Sequence, residues 1–190
     1  IYIPESGKLE PYYVLTKNYY KQGNVLLMRK YVLNSTIPYK HEYSTSYYGN
    51  SLPDKFMNEV FIKEFPEKLQ DDIPVTSINI TDENSVMFRK HTEVIKRQFF
   101  TLLEKELGKD YPVTSDEMKI KYFSDNRHTR SLGKLKTGDV VSWWLRGVDY
   151  HNRDNFAAIA KYNGYAEYAE VMSPIYIRPS FCLSPHTKIV

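Results

Sequence analysis

Val140-Val141-Ser142-Trp143-Trp144-Leu145-Arg146 decides how the chain is read, together with Ile175 to Leu183, which contains Ile177-Arg178-Pro179-Ser180-Phe181. Both stretches are short, apolar and rich in β-branched or aromatic residues, and turn residues bound them, which is a strand signal. Gly138-Asp139 turns into the first stretch. After it, residues 149–155 (Asp, Tyr, His, Asn, Arg, Asp, Asn) form a polar loop. Phe156 to Tyr162 is a predicted strand, Asn163-Gly164 a hairpin turn, and Tyr165 to Tyr168 the start of its return. Pro179 lacks an N–H, so the last strand lies at an edge or carries a bulge.

Working back toward the N-terminus, Tyr12 to Leu15, Val25 to Met28 and the extended stretch to Leu33 read as strands, joined by a turn-rich segment ending in Gly23-Asn24. Residues 34–55 read as a loop with aromatic content. A helix is expected from Pro53-Asp54 to Pro66, because Phe56, Met57, Val60, Phe61 and Phe65 make one apolar face and Pro suits a helix start. Within residues 74–90, two short strands joined by Asp82-Glu83-Asn84 are expected. Phe99 to Leu103 suggests a strand entering a short helix, with Glu104 and Glu106 exposed and Gly108 as its stop. Thr114 to Glu117 looks like another helix start. Residues 1–10 read as a linker from a longer parent protein, and 185–190 as a tail, around a single domain.

Composition narrows the function classes. The 190 residues carry 26 basic and 23 acidic side chains, a net charge of +3, without a run of five like charges. That argues against a nucleic-acid partner. No apolar run approaches the ~20 residues of a membrane span, so no membrane role is expected. The single cysteine, Cys182, rules out an internal disulfide and a Cys-rich zinc site. It lies between Phe181 and Leu183, where a small buried hydrophobe fits better than a Cys–His nucleophile. The five histidines show no metal spacing, and no phosphate loop, HExxH or Gly-x-Ser-x-Gly elbow occurs. Asp71/Asp72 and Asp82/Glu83 are carboxylate pairs that read as solvated loops. Asp149, Asn152, Asp154 and Asn155 could hold Ca²⁺, but they lack the EF-hand spacing and its glycine at the sixth position. The expectation is no cofactor. The 17 tyrosines stand out, since tyrosine suits both strands and binding surfaces.

The Trp-Trp-Leu-Arg strand, followed about thirty residues later by the Arg178-Pro179 strand, resembles a bacterial and phage domain family of unknown function. Val14 to Leu33, Ser51 to Phe61 with Met57-Asn58, Phe100 to Leu107, and Lys121-Tyr122-Phe123-Ser124 with Arg127 or Arg130 are similar to further pieces of that family. The likeness spans residues 12–184. Where the family has Ser-Pro after Trp-Leu-Arg, this chain has Gly147-Val148. The closing pattern also resembles the C-type-lectin-like fold of phage tropism proteins and formylglycine-generating-enzyme relatives, though the oxidising cysteines of that enzyme are missing.

The resemblance implies an α+β, C-type-lectin-like fold, with a twisted, mostly antiparallel sheet and two or more helices. It implies a non-catalytic binding module in which rigid strands frame variable loops. Trp143, Trp144, Arg146, Arg178 and Pro179 are then framework. One tryptophan is expected in the core and the other half-exposed or packed under a loop; the arginines are expected to satisfy buried carbonyls or a carboxylate. The ligand face is expected at Tyr150, Asn152, Asp154, Asn155, Tyr162, Asn163 and Tyr165, whose flat rings and amides suit sugar C–H faces and hydroxyl pairs. Two functions are expected in order. The first is recognition of a cell-surface glycan or protein receptor by an extracellular, cell-surface or virion (phage-tail) protein. The second is a structural domain packed against neighbouring subunits of an assembly. An enzyme ranks third.

Overall fold

The computed structural model describes residues 1–21, 23–83, 92–108, 119–124, 126–148 and 155–187. In chain order the elements are β1 (Tyr2–Glu5), β2 (Lys8–Thr16), β3 (Val25–Arg29), β4 (Thr36–Ile37), α1 (Leu52–Lys55), α2 (Glu67–Asp72), β5 (Thr76–Thr81), β6 (Thr92–Arg97) and β7 (Phe99–Phe100). They continue with α3 (Arg127–Ser131), β8 (Gly133–Lys134), β9 (Val140–Val141), β10 (Trp143–Val148), β11 (Phe156–Ala160), β12 (Ala166–Glu170), β13 (Ile175–Tyr176) and β14 (Ser180–Leu183). The fold mixes α and β, with three short α-helices among the described residues and mostly antiparallel sheets.

Two five-stranded sheets carry the core. The first runs β1-β2-β3-β14-β7, and all its ladders are antiparallel. The second runs β12-β11-β10-β13-β4, with one parallel contact between β10 and β13. Two hairpins, β5–β6 and β8–β9, complete the strands. One face of the first sheet presents Phe99 and Phe181 to Phe61 and Phe65 of the helical segment, with ring centroids 4.9–5.7 Å apart. On its other side, Phe100 stacks on Tyr19 at 5.6 Å and lies under the Arg146 guanidinium. Aromatic pairs at these distances add dispersion and quadrupole attraction to burial.

Several expectations are corrected. Residues 1–10 are no linker. They form the β1–β2 hairpin, with Tyr2 opposite Pro11 and Glu5 opposite Lys8. Ser6 and Gly7 both take positive φ at its turn (52° and 71°), the backbone of a two-residue turn that matches strand twist. Ile3 is buried beneath it. The last predicted strand is two strands in different sheets. Residues 177–179 carry the chain from β13 across to β14, where the Ile177 and Pro179 carbonyls accept from Leu33 and Arg29. Pro179 is thus a crossing point; having no N–H to pair, it loses nothing there.

The helix expected over 53–66 is a broken one. α1 gives way to a π-turn at Phe56–Val60 and a 3₁₀ turn at Phe61–Glu64. Its start is as expected, with Pro53 in the first turn and Ser51 capping the Asp54 N–H at 3.2 Å. Pro66 ends it and α2 follows at once. The loop expected over 34–55 contains β4, which closes the second sheet against β13. β5 pairs with β6, from Thr76↔Arg97 to Thr81↔Thr92. The second strand expected within residues 74–90, after Asn84, and the helix start at 114–117 lie outside the described residues.

Candidate recognition surface and its buried frame

β10 positions the frame. Because alternate residues face opposite sides, Trp143 and Trp144 enter different layers, and both are fully buried. The Trp143 indole N–H donates to the Ser131 carbonyl at 2.9 Å, and its ring lies 5.4 Å from the Arg178 guanidinium. Trp144 packs under β4 and the segment that follows. Its N–H donates to the Ile37 carbonyl at 2.7 Å, and Tyr39 meets its ring edge-on at 5.1 Å.

Of the two kinds of acceptor expected for Arg146, buried carbonyls or a carboxylate, the structure supplies both, and the carboxylate comes from an unexpected residue. Glu106, predicted to be exposed, is fully buried and pairs with both Nη atoms at 2.7 and 2.9 Å. Tyr19 and Tyr20 donate their hydroxyls to the same carboxylate at 2.5 and 3.0 Å. The guanidinium also donates to the Thr101 and Asn79 carbonyls. Glu104 is buried as well, the second correction to that turn. The turn folds inward because the network satisfies Glu106 on all sides, which a lone acid in that core would require.

Arg178 donates to the carbonyls of Arg29, Leu132 and Lys30 at 2.9–3.1 Å. Burial with no compensating acid among the described residues pulls its pKa down to about 10. A third arginine, Arg29, binds Glu5 and Glu10 and joins the N-terminal hairpin to the core. Burial also pushes the Cys182 thiol up to about 12, so it stays protonated at neutral pH.

Of the expected ligand face, the structure gathers one part and separates another. Tyr162, Asn163 and Tyr165 share the tip of the β11–β12 hairpin. Tyr162 is 58% exposed and Tyr165 47%. Gly164 takes φ +81°, and the Asn163 side-chain oxygen accepts from the Tyr165 N–H at 3.1 Å, which fixes the turn. Lys161 pairs with Glu167 at 2.8 Å and lies 5.7 Å from the Tyr162 ring centre. Asn155 stands at the opposite end of β11, separated from the tip by five extended residues, or roughly 17 Å. At that end the Asn155 carbonyl accepts from Val171, and the Val171 carbonyl from Lys40. There Tyr43 reaches Glu170 at 3.4 Å. Tyr150, Asn152 and Asp154 lie outside the described residues, as does the Asp149 to Asp154 stretch considered for Ca²⁺. Among the described residues no group of three or more His, Cys, Asp or Glu could hold a metal. No described helix is long and apolar enough to cross a membrane.

Among the described residues, sequence reasoning missed two clefts. An apolar groove of about 400 Å³ lies where Val14, Val25, Leu27 and Leu183 meet Ile1 and Pro185. A polar groove of about 340 Å³ is lined by Asp54, Lys55, Asn58 and Glu59 from the α1 and π-turn segment and by Lys96 and Arg97 from β6. Arg97 grips both Asp54 oxygens through Nε at 2.8 and 2.9 Å. Burial raises the Asp54 pKa, and Arg97 partly opposes it. The Asn58 amide clamps β7, donating to the Phe99 carbonyl at 2.8 Å and accepting from its N–H at 3.0 Å. Met57-Asn58 was visible in the sequence, but only β5–β6 pairing brings Lys96 and Arg97 opposite it.

A family model, a domain of unknown function (DUF6273), matches residues 22–185, and the chain belongs to that family. No curated protein and no solved structure matches it.

Proposed function

We propose that this domain is a non-catalytic recognition module of a phage-tail or bacterial surface or secreted protein, binding a cell-surface glycan or protein receptor. One observation carries the reading. Tyr162 and Tyr165 project from a hairpin whose strands continue into the rigid frame around Trp143 and Arg146. Exposed rings held by a fixed turn offer stacking area with little entropy to lose on binding. The Asn163 side-chain NH₂ beside them has no partner among the described residues, while its oxygen is used in the turn. The resemblance to C-type-lectin-like phage tropism proteins supports the same reading, because loops on a fixed frame carry recognition in that fold. The buried, protonated state of Cys182 also favours binding over covalent catalysis.

A glycan array probed with wild type and with the Tyr162→Ala/Tyr165→Ala variant tests it. Wild type is expected to mark a restricted set of glycans, and the variant, melting within a couple of degrees of wild type, to mark none. An unchanged array pattern from the folded variant would remove the hairpin tip from the ligand face.

The second reading, a structural domain of a virion or surface assembly, is favoured by a different feature. Tyr2 and Leu9 are exposed apolar side chains on the edge hairpin β1–β2. In that case the parent assembly should bury Tyr2 and Leu9 against a neighbouring subunit over ~1,200 Å² or more.

A further inference from the structure

We infer that the polar groove between α1 and β6 is a second binding site, which takes a carboxylate carried on a saccharide. The inference rests on the glycan part of the reading above but not on the hairpin tip. The floor of the groove is the Asp54–Arg97 pair. Arg97 spends Nε on Asp54, one Nη1 proton on the Lys96 carbonyl and one Nη2 proton on the Gly49 carbonyl. One N–H on each Nη atom therefore remains without a partner among the described residues, and the side chain is still partly exposed toward the groove. Lys55 and Lys96 line the same groove as exposed ammoniums, and neither has an ion-pair partner among the described residues. A planar fork next to two point charges is the donor set that carboxylates bind.

The other features of the groove narrow the ligand. Asp54 is paired with Arg97 and held by Asn58; it attracts Lys55 through space, but with its charge matched by Arg97 the two lysines leave the groove a surplus of positive charge over Glu59. Glu59 is the second acid in the groove, and it repels a ligand bearing several closely spaced negative charges. That favours one acid per sugar pair over a densely sulfated chain. The wall on this side is the π-turn at Phe56–Val60, a departure from α geometry that recurs at functional sites. Asn58 ties this turn to β7 through both polar atoms of its amide, so the wall is preorganised. At about 340 Å³ the groove accommodates one or two sugar rings.

The test is calorimetric titration of the domain with three probes at matched ionic strength: a glucuronate-containing tetrasaccharide, neutral chitotetraose and sodium sulfate. Saturable binding of the acidic tetrasaccharide is expected. It should weaken at least about tenfold in a Lys55→Gln/Lys96→Gln variant, changed at two exposed positions and checked by its melting temperature to be folded. Sulfate binding as strongly as the tetrasaccharide would overturn the assignment to a saccharide acid. Wild-type affinity in the folded double-lysine variant would overturn the site itself. The Tyr162→Ala/Tyr165→Ala variant separates the two proposals. If it alone abolishes binding, the groove is refuted and the tip stands. If it leaves tetrasaccharide affinity intact while the lysine variant loses it, the groove stands without the tip.

Discussion

The Arg146 guanidinium and the Glu106 carboxylate form a two-pronged pair, at 2.7 and 2.9 Å, with both side chains at 0% exposure. The pair joins β10 of the second sheet to the turn that follows β7 of the first. Five further groups among the described residues complete it: the Tyr19 and Tyr20 hydroxyls, the Leu103 N–H, and the Thr101 and Asn79 carbonyls. Removing one charge leaves the other buried and uncompensated. We expect Glu106→Ala to cost about 3–5 kcal/mol in chemical denaturation, and the double variant Glu106→Leu/Arg146→Met to recover a large part of that loss. Equal destabilisation by the single and double variants would show that the pair itself, rather than the orphaned charge, sets the cost.

Trp144→Ala removes a fully buried ring, an edge contact with Tyr39 and the bond to the Ile37 carbonyl that ties β4 to β10. A loss of roughly 3–5 kcal/mol is expected from the cavity. A thermal melt within a couple of degrees of wild type would contradict the framework role given to β10.

Gly147 lies buried on β10, next to Arg146. A Cβ placed there would lie 1.9 Å from a Glu104 carboxylate oxygen. Gly147→Ala should therefore destabilise by about 1–3 kcal/mol through displacement of the buried Glu104 side chain. Because the two positions touch, the cost in a Glu104→Ala background should be smaller than in wild type. Additive losses in the double-mutant cycle would place the effect elsewhere.

Lys40 is buried, and its ammonium donates to the Asn50 side-chain oxygen. Burial first, then repulsion from Lys55, pulls its pKa from 10.5 to about 8, against weaker attraction from Glu83 and Asp54. A lysine with a depressed folded pKa sheds its proton earlier in the folded chain than in the unfolded one. Between about pH 8 and 10.5 the unfolded chain then holds more protons at this site, so this group's contribution raises stability with pH. Urea midpoints should rise from pH 8 toward 10, before the buried tyrosines with raised pKa values oppose the trend. Lys40→Met should be more stable than wild type at pH 7 and lack that rise. Parallel pH profiles for the two proteins would dismiss the buried charge as its cause.

The local chemistry of the chain was enough to mark most strands and several turns. The alternation through Trp143-Trp144, the Asn163-Gly164 turn and the Pro53 helix start were legible because each depends on residues within a few positions of one another. The need of Arg146 for acceptors was legible too, as buried carbonyls or a carboxylate, since a guanidinium cannot be buried without them. What only the tertiary structure decided was the choice of partner. Glu106 reads as a solvent-facing acid on a short helical turn until Tyr19 and Tyr20, some 87 residues earlier in the chain, supply the donors that make its burial tolerable. Residues 1–10 look like a linker until Arg29 gathers Glu5 and Glu10. The polar groove needs β6 beside α1, and Asn155 stands the length of β11 away from the hairpin tip that carries Tyr162, Asn163 and Tyr165. These are pairings across the chain. Their energy depends on burial and on satisfied donors and acceptors, which a local pattern of residues does not specify.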